Sequence, residues 1–158
     1  YIQDLKTAEG KSVTLKGWVA NKRESKGLVF IIMRDGTGLC QCVVDQTKVD
    51  AEIFENAKKL SLESSLSITG NVVKDERQIG GYELQADNLE IYQIAIDYPI
   101  AKKEHGPDFL LDRRHLWLRS TRQWAIMRIR NRIIYSIHNF FQERGFMQMD
   151  APIFTANA

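Results

Sequence analysis

Val13–Val44 reads VTLKGWVANKRESKGLVFIIMRDGTGLCQCVV, and the reading of this stretch decides the fold. Apolar residues alternate through Val13, Leu15, Gly17 and Val19, the period of a half-buried strand. This strand is predicted to run to about Asn21. Lys22-Arg23-Glu24-Ser25-Lys26-Gly27 then forms a loop with three positive charges and one negative. Two β-rich runs flank Asp35-Gly36-Thr37-Gly38, a turn signal, so three consecutive antiparallel strands are expected. The middle run, Leu28–Met33, is apolar at both parities, so one face can line an interior while the other carries Phe30. The third run sets an amide, Gln41, between Leu39 and Val43 on one face.

Outward from this core, Asp50 is placed to cap a helix with Ile53, Ala57 and Leu60 on one face and Phe54 beside them. That helix would close one end of a barrel. Leu66–Val73 and Tyr82–Tyr92 read as two further strands, joined by Lys74–Gly81 with its paired glycines. Three strands, a helix and two strands are the order of a five-stranded OB-type barrel. In that fold the Lys22–Gly27 and Lys74–Gly81 loops lie where ligands are engaged, and a basic loop, an outward aromatic and an outward amide suit a single-stranded nucleic acid.

From Ile96 the character changes. Asp97-Tyr98-Pro99 and Gly106-Pro107 bracket Lys102-Lys103-Glu104, which predicts a linker. Ser120 and Gln123 then form a capping-box signature ahead of a helix of about 22 residues, roughly 33 Å long. Its apolar face is Ile126, Ile129, Ile133, Ile137 and Phe140, broadened by Ile134 and Phe141. Gly145 is placed to end it, and Met147–Phe154, interrupted by Pro152, reads as an edge or strand entrance. The expected domains are therefore 1–96, a linker at 97–118, and 119–158. The last forty residues cannot bury one side of a long helix by themselves, so the chain is expected to be cut from a longer protein.

A hydrophobic fraction of 44% in 158 residues fits a globular chain with a real core. No apolar run approaches the ~20 residues of a membrane span, and no secretory leader is visible, so a soluble, cytoplasmic protein is expected. The net charge of +2 is small, so a nucleic-acid site must come from local placement of charge. Cys40 and Cys42 stand two apart on a strand and read as buried thiols of a reducing compartment, with zinc and a disulfide both disfavoured. His105, His115 and His138 are scattered, with no nucleophile or carboxylate at catalytic spacing. No catalytic residue and no metal site is expected in this segment.

Gly17-Trp18-Val19, Arg23, Phe30, Arg34-Asp35, Gly38 and Gln41, together with a helix ending in Arg144-Gly145-Phe146 before Pro152, resemble the class II aminoacyl-tRNA synthetases. The subgroup is the one with an OB anticodon-binding domain: the aspartyl, asparaginyl and lysyl enzymes. Trp18 argues against the lysyl enzymes, and Arg114-His115-Leu116-Trp117-Leu118-Arg119-Ser120 is similar to the asparaginyl version of its segment. The resemblance implies an OB barrel, a linker and the first long helix (motif 1) of an α+β catalytic domain. It implies that Arg23, Phe30 and Gln41 read the central anticodon base, a uridine, with further contacts from Lys22, Lys26, Lys74 and Arg77.

The resemblance also implies a homodimer through motif 1, carried by Ile133, Ile137, Phe140, Phe141, Gly145, Phe146 and Pro152. The parent protein would attach asparagine to its tRNA with ATP and Mg2+, none of which this segment would bind, and neither membrane nor DNA is an expected partner. Chemistry agrees with the base-reading residues: Phe30 offers a stacking face, Gln41 a donor beside an acceptor, and Arg23 a charge-assisted hydrogen bond. Taken one at a time, Phe30 fits core packing as well as stacking, and strand glutamines and loop arginines are ordinarily just solvated. Their joint placement on three adjacent elements favours the binding role. Arg113, Arg114 and Arg119 remain open between tRNA and another part of the protein. An aspartyl enzyme and a non-catalytic OB module binding single strands stay as alternatives.

Overall fold

The computed structural model describes residues 1–100 and 103–153. Two compact units divide the chain, Tyr1–Pro99 and Ile100–Ala158. In the first, β1 (Ser12–Ser25), β2 (Leu28–Arg34), β3 (Leu39–Asp45), β4 (Ser65–Lys74) and β5 (Tyr82–Gln93) close a barrel in the order β1-β2-β3-β5-β4. Helix α1 (Ala51–Lys59) connects β3 to β4. All pairings are antiparallel except β3 with β5, which seals the barrel in parallel through Gln41–Glu83, Cys42–Leu84 and Val43–Gln85. The predicted five-stranded OB-type barrel is therefore the observed fold.

The strand alternation sets the core. Leu15 and Val19 of β1, Val29, Ile31 and Met33 of β2, and Cys40, Cys42 and Val44 of β3 are buried inside, while Leu28, Phe30 and Ile32 face outward. Each fully buried aliphatic side chain contributes about 1.5–3 kcal/mol. The hydrogen bond with Cys40, reinforced by burial, pushes the Cys42 thiol well up, away from thiolate chemistry. Phe54, Ala57 and Leu60 plug one barrel end, with Ile53 only partly covered. Asp50 occupies the N-cap position of α1, but its side chain makes no capping bond, contrary to the expected role. Gly17 and Gly70 mark the closest strand approaches, where a Cβ would fall on the carbonyl oxygens of Arg34 and Gln85.

β1 departs from expectation in length and in phase. It continues through Lys22, Arg23 and Glu24 to Ser25, so the predicted basic loop is strand, and the turn is only Lys26-Gly27. A bulge lies between Val19 and Asn21, adding one residue at Ala20. Because side chains alternate with period two, one extra residue reverses which side faces the core. Odd-numbered Leu15, Gly17 and Val19 point inward above the bulge. Below it, Lys22 pairs with inward Ile31, and Arg23 pairs with outward Phe30.

Ahead of β1, Ile2–Ala8 forms a 3-10 helix that sinks Ile2 and Leu5 into the core. Asp35 ties it down: its Oδ2 accepts from Ile2 N at 2.8 Å, while Oδ1 accepts from Thr37 N, Thr37 Oγ1 and Gly38 N.

In the second unit, the stretch expected as linker carries α2 (Pro107–Leu111) and α3 (Arg114–Trp117). Lys102 lies outside the described residues. Helix α4 spans Thr121–Gln142, the 22 residues anticipated. Ser120 is its N-cap, but the hydroxyl finds no partner among the described residues, so the capping box does not form. Gly145 does end the helix. At φ +82° it lets Phe146 N donate to Phe141 O and its own N–H to Gln142 O, with the Phe141 and Phe146 rings 5.4 Å apart, a Schellman motif with its apolar contact. Residues 147–153 form no strand, against the edge strand expected there, and Phe154 lies outside the described residues.

Burial raises the Asp35 carboxyl, but the hydrogen bonds from Thr37, Ile2 and Gly38 outweigh it and hold the group below its ordinary value. With a lowered folded pKa, the stabilisation is complete above about pH 4 and is lost as pH falls through the folded value. Asp35→Asn keeps an acceptor for Thr37 and Gly38 but turns an amine toward Ile2 N. Denaturant unfolding should show a loss of about 1–3 kcal/mol at neutral pH and a flatter acid limb, with faster hydrogen exchange at Ile2. An unchanged acid limb would remove Asp35 from this role.

Candidate nucleic-acid interface

Two adjacent rungs of the barrel's outer face build the site. One runs Arg23, Phe30, Val43, Gln85 across β1, β2, β3 and β5; the next runs Asn21, Ile32, Gln41, Glu83. All of these except Asn21 and Ile32 line, with the loop after β4, an open concavity of about 430 Å³, whose wall includes Arg23, Phe30, Gln41, Arg77, Glu83 and Gln85. The three residues expected to act together are thus brought together, and Arg77 joins them.

The Arg23 guanidinium lies 4.0 Å from the centre of the Phe30 ring, a direct cross-strand cation–π pair. Gln41 points outward, as expected of its parity, yet is only 7% exposed. Its Nε2 donates to Glu83 Oε2 at 3.0 Å, and Gln85 Nε2 donates to Glu83 Oε1 at 2.6 Å. Glu83 and Gln85 were missed in the sequence. Their signal was the alternation of β5, in which Leu84 between them and Ala86 after them are buried, but the parallel pairing that carries them to Gln41 leaves no mark in either strand alone.

Of the five charged side chains that line the concavity, two form an ion pair. Arg77 binds Asp75 through Nε–Oδ1 and Nη2–Oδ2, both 2.9 Å, and the Arg77 hydrogen bond holds the Asp75 carboxyl far below the carboxylate range. Asp45 accepts from Thr47 N and Oγ1. Arg23 has no carboxylate partner among the described residues, which leaves its charge for an incoming group.

The other expected contacts fall elsewhere. Lys22, turned inward by the bulge, donates to the Lys58 carbonyl at the end of α1 and pairs with Glu24, so it serves the fold. Lys26 sits at the hairpin tip, and Lys74 pairs with Glu76 outside the concavity wall. Among the described residues no group of three or more His, Cys, Asp or Glu could hold a metal, and no helix is long and apolar enough to cross a membrane.

A closed five-stranded barrel with an aromatic ring, an amide and a cation on one outer face defines a module of the OB type, and the family model agrees. The chain belongs to the OB-fold nucleic acid binding domain family, whose model matches residues 13–92. Residues 106–158 match the class II tRNA synthetases (D, K and N).

The likeness is to asparagine–tRNA ligases in particular, as the resemblance in the sequence implied. That of Symbiobacterium thermophilum is 53% identical over 157 residues, 99% of this chain and 36% of the relative. That of Roseiflexus castenholzii is 50% identical over 154 residues, 98% of this chain and 35% of the relative. Among solved structures, asparaginyl-tRNA synthetase from Pyrococcus horikoshii complexed with asparaginyl-adenylate aligns with a TM-score of 0.91 at 36% identity, covering 97% of this chain and 36% of that one. The chain spans little more than a third of the ligases it matches.

The hairpin that sets Arg23 against Phe30 turns through Lys26 at φ +38° and Gly27 at φ +80°, and Lys carries a strain there that Asn or Gly does not. Lys26→Asn should stabilise the fold by about 0.5–1 kcal/mol in thermal unfolding. If RNA affinity also stays unchanged, Lys26 is no contact; a loss of stability would refute the strain.

Proposed function

We propose that the concavity holds the central base of a tRNA anticodon, a uridine, and that the protein to which this chain belongs attaches asparagine to that tRNA. The observation that carries the reading is the convergence of Arg23, Phe30 and Gln41 on one wall. Phe30 stacks the unpaired base, Gln41 meets its Watson–Crick edge, and Arg23 adds a charge-assisted bond to base or phosphate. Arg77, on the loop after β4, lines the same wall and would meet a neighbouring nucleotide.

The ligase reading rests on the ligases to which 98–99% of this chain aligns. With it come ATP as co-substrate, Mg2+ as the ion that accompanies it, and a cytoplasmic setting. Phe30→Ala should weaken binding of an asparagine anticodon stem-loop by about 1–3 kcal/mol in a titration, with circular dichroism unchanged. Equal affinity in a folded variant would discard the reading. Indifference of the wild type to uridine or cytidine at the anticodon centre would favour a module without base preference.

We further propose that α4 meets a second copy of the chain. Ile133, Ile137, Phe140 and Phe141 leave 46–53% of their surface open on one side of the helix, more apolar area than a solvated helix presents by chance. Phe146, just past the Gly145 stop with its ring against Phe141, continues that surface, and Pro152 is exposed further along the chain. Sedimentation should show dimers that Ile133→Asp with Ile137→Asp converts to folded monomers; a monomeric wild type would overturn the assignment.

A further inference from the structure

We propose that Glu83 is what makes the site choose uracil over cytosine, by fixing which way the Gln41 amide faces. The inference rests on the anticodon reading above and adds to it a positioning residue.

A primary amide carries an acceptor and a donor side by side, and a half-turn of the group exchanges them. In one orientation its oxygen meets N3–H of uracil while its N–H meets a uracil carbonyl. In the other, its N–H meets N3 of cytosine while its oxygen accepts from the exocyclic amine. A glutamine free to turn therefore takes either pyrimidine.

Gln41 is not free to turn. Its Nε2 donates to Glu83 Oε2 at 3.0 Å, and an ionised carboxylate only accepts, so the flipped amide would set oxygen against oxygen. Glu83 is itself held, because Gln85 Nε2 donates to its other oxygen at 2.6 Å. The parallel pairing that closes the barrel puts Gln41 opposite Glu83 and Val43 opposite Gln85, so the clamp is part of the fold. Gln41 Oε1 accepts nothing from the described residues and is not sealed off, which leaves it for a ligand. A base stacked on Phe30 cannot slide to recover the pairing, so at this fixed pose N3–H of uracil meets an acceptor, whereas N3 of cytosine meets a lone pair.

The test compares anticodon stem-loops that differ only in U or C at the centre, titrated against wild type, Glu83→Gln and Gln41→Ala. Wild type should prefer U. In Glu83→Gln the new amide donates as well as accepts, Gln41 turns, and the preference should fall roughly tenfold, mainly through tighter binding of the C loop. A folded Glu83→Gln that keeps the full preference overturns the clamp and leaves the anticodon reading standing. A preference that survives Gln41→Ala removes Gln41 as the reader, and the clamp with it; a wild type without preference does the same. Should Glu83→Gln not fold, relaxation of the wild-type Gln41 side-chain amide decides. An order parameter near that of rigid backbone, about 0.85, supports the clamp, and one below about 0.6 overturns it.

Discussion

A single extra residue at Ala20 governs what the barrel's outer face presents. Had β1 kept one phase from Leu15 onward, Arg23 would have fallen on the inner side with Val19, an unpaired charge among aliphatics. Burying it there would cost several kcal/mol. The bulge absorbs the conflict: it keeps Leu15, Gly17 and Val19 inside, passes Lys22 to the barrel end, and turns Arg23 onto Phe30. Lys22 tolerates its half-buried place because the last turn of α1 offers a carbonyl that lacks a helical partner. Fold and site thus share one register, and a slip in it would dismantle both.

The concavity is polar, and most of its polar groups are held from within. Asp75 holds Arg77, Thr47 holds Asp45, and two amides hold Glu83, so most groups are already fixed before a ligand arrives. Such an arrangement costs little further ordering on binding, and it leaves a small set of directed groups to discriminate. Stacking is indifferent to base identity; hydrogen bonds to fixed partners are not. The modest net charge of +2 is consistent with this, since the site relies on placement more than on bulk attraction.

The second unit follows a different logic. Its long helix is specified locally at the C-terminal end, where Gly145 supplies the left-handed backbone and Phe146 closes on Phe141. Its N-terminal end is not: Ser120 stands in the right place but its hydroxyl bonds nothing among the described residues. A capping signature states which backbone groups need partners, whereas rotamer and neighbours decide whether the side chain supplies them. The same holds for Asp50 at the start of α1.

Strand periodicity, the turn at Asp35–Gly38, the order of elements and the extent of α4 were determined by sequence alone, because each follows from side-chain spacing within a few residues. Parity along an unbroken strand also set the direction of Gln41, whereas Leu28–Met33 is apolar at both parities, and only the closed barrel decided that Phe30 faces outward. The bulge in β1, the tie between Asp35 and Ile2, and the meeting of Gln41 with Glu83 and Gln85 were decided by tertiary structure. Each joins positions far apart in the chain, where the gain from pairing, and not any local preference, selects the arrangement.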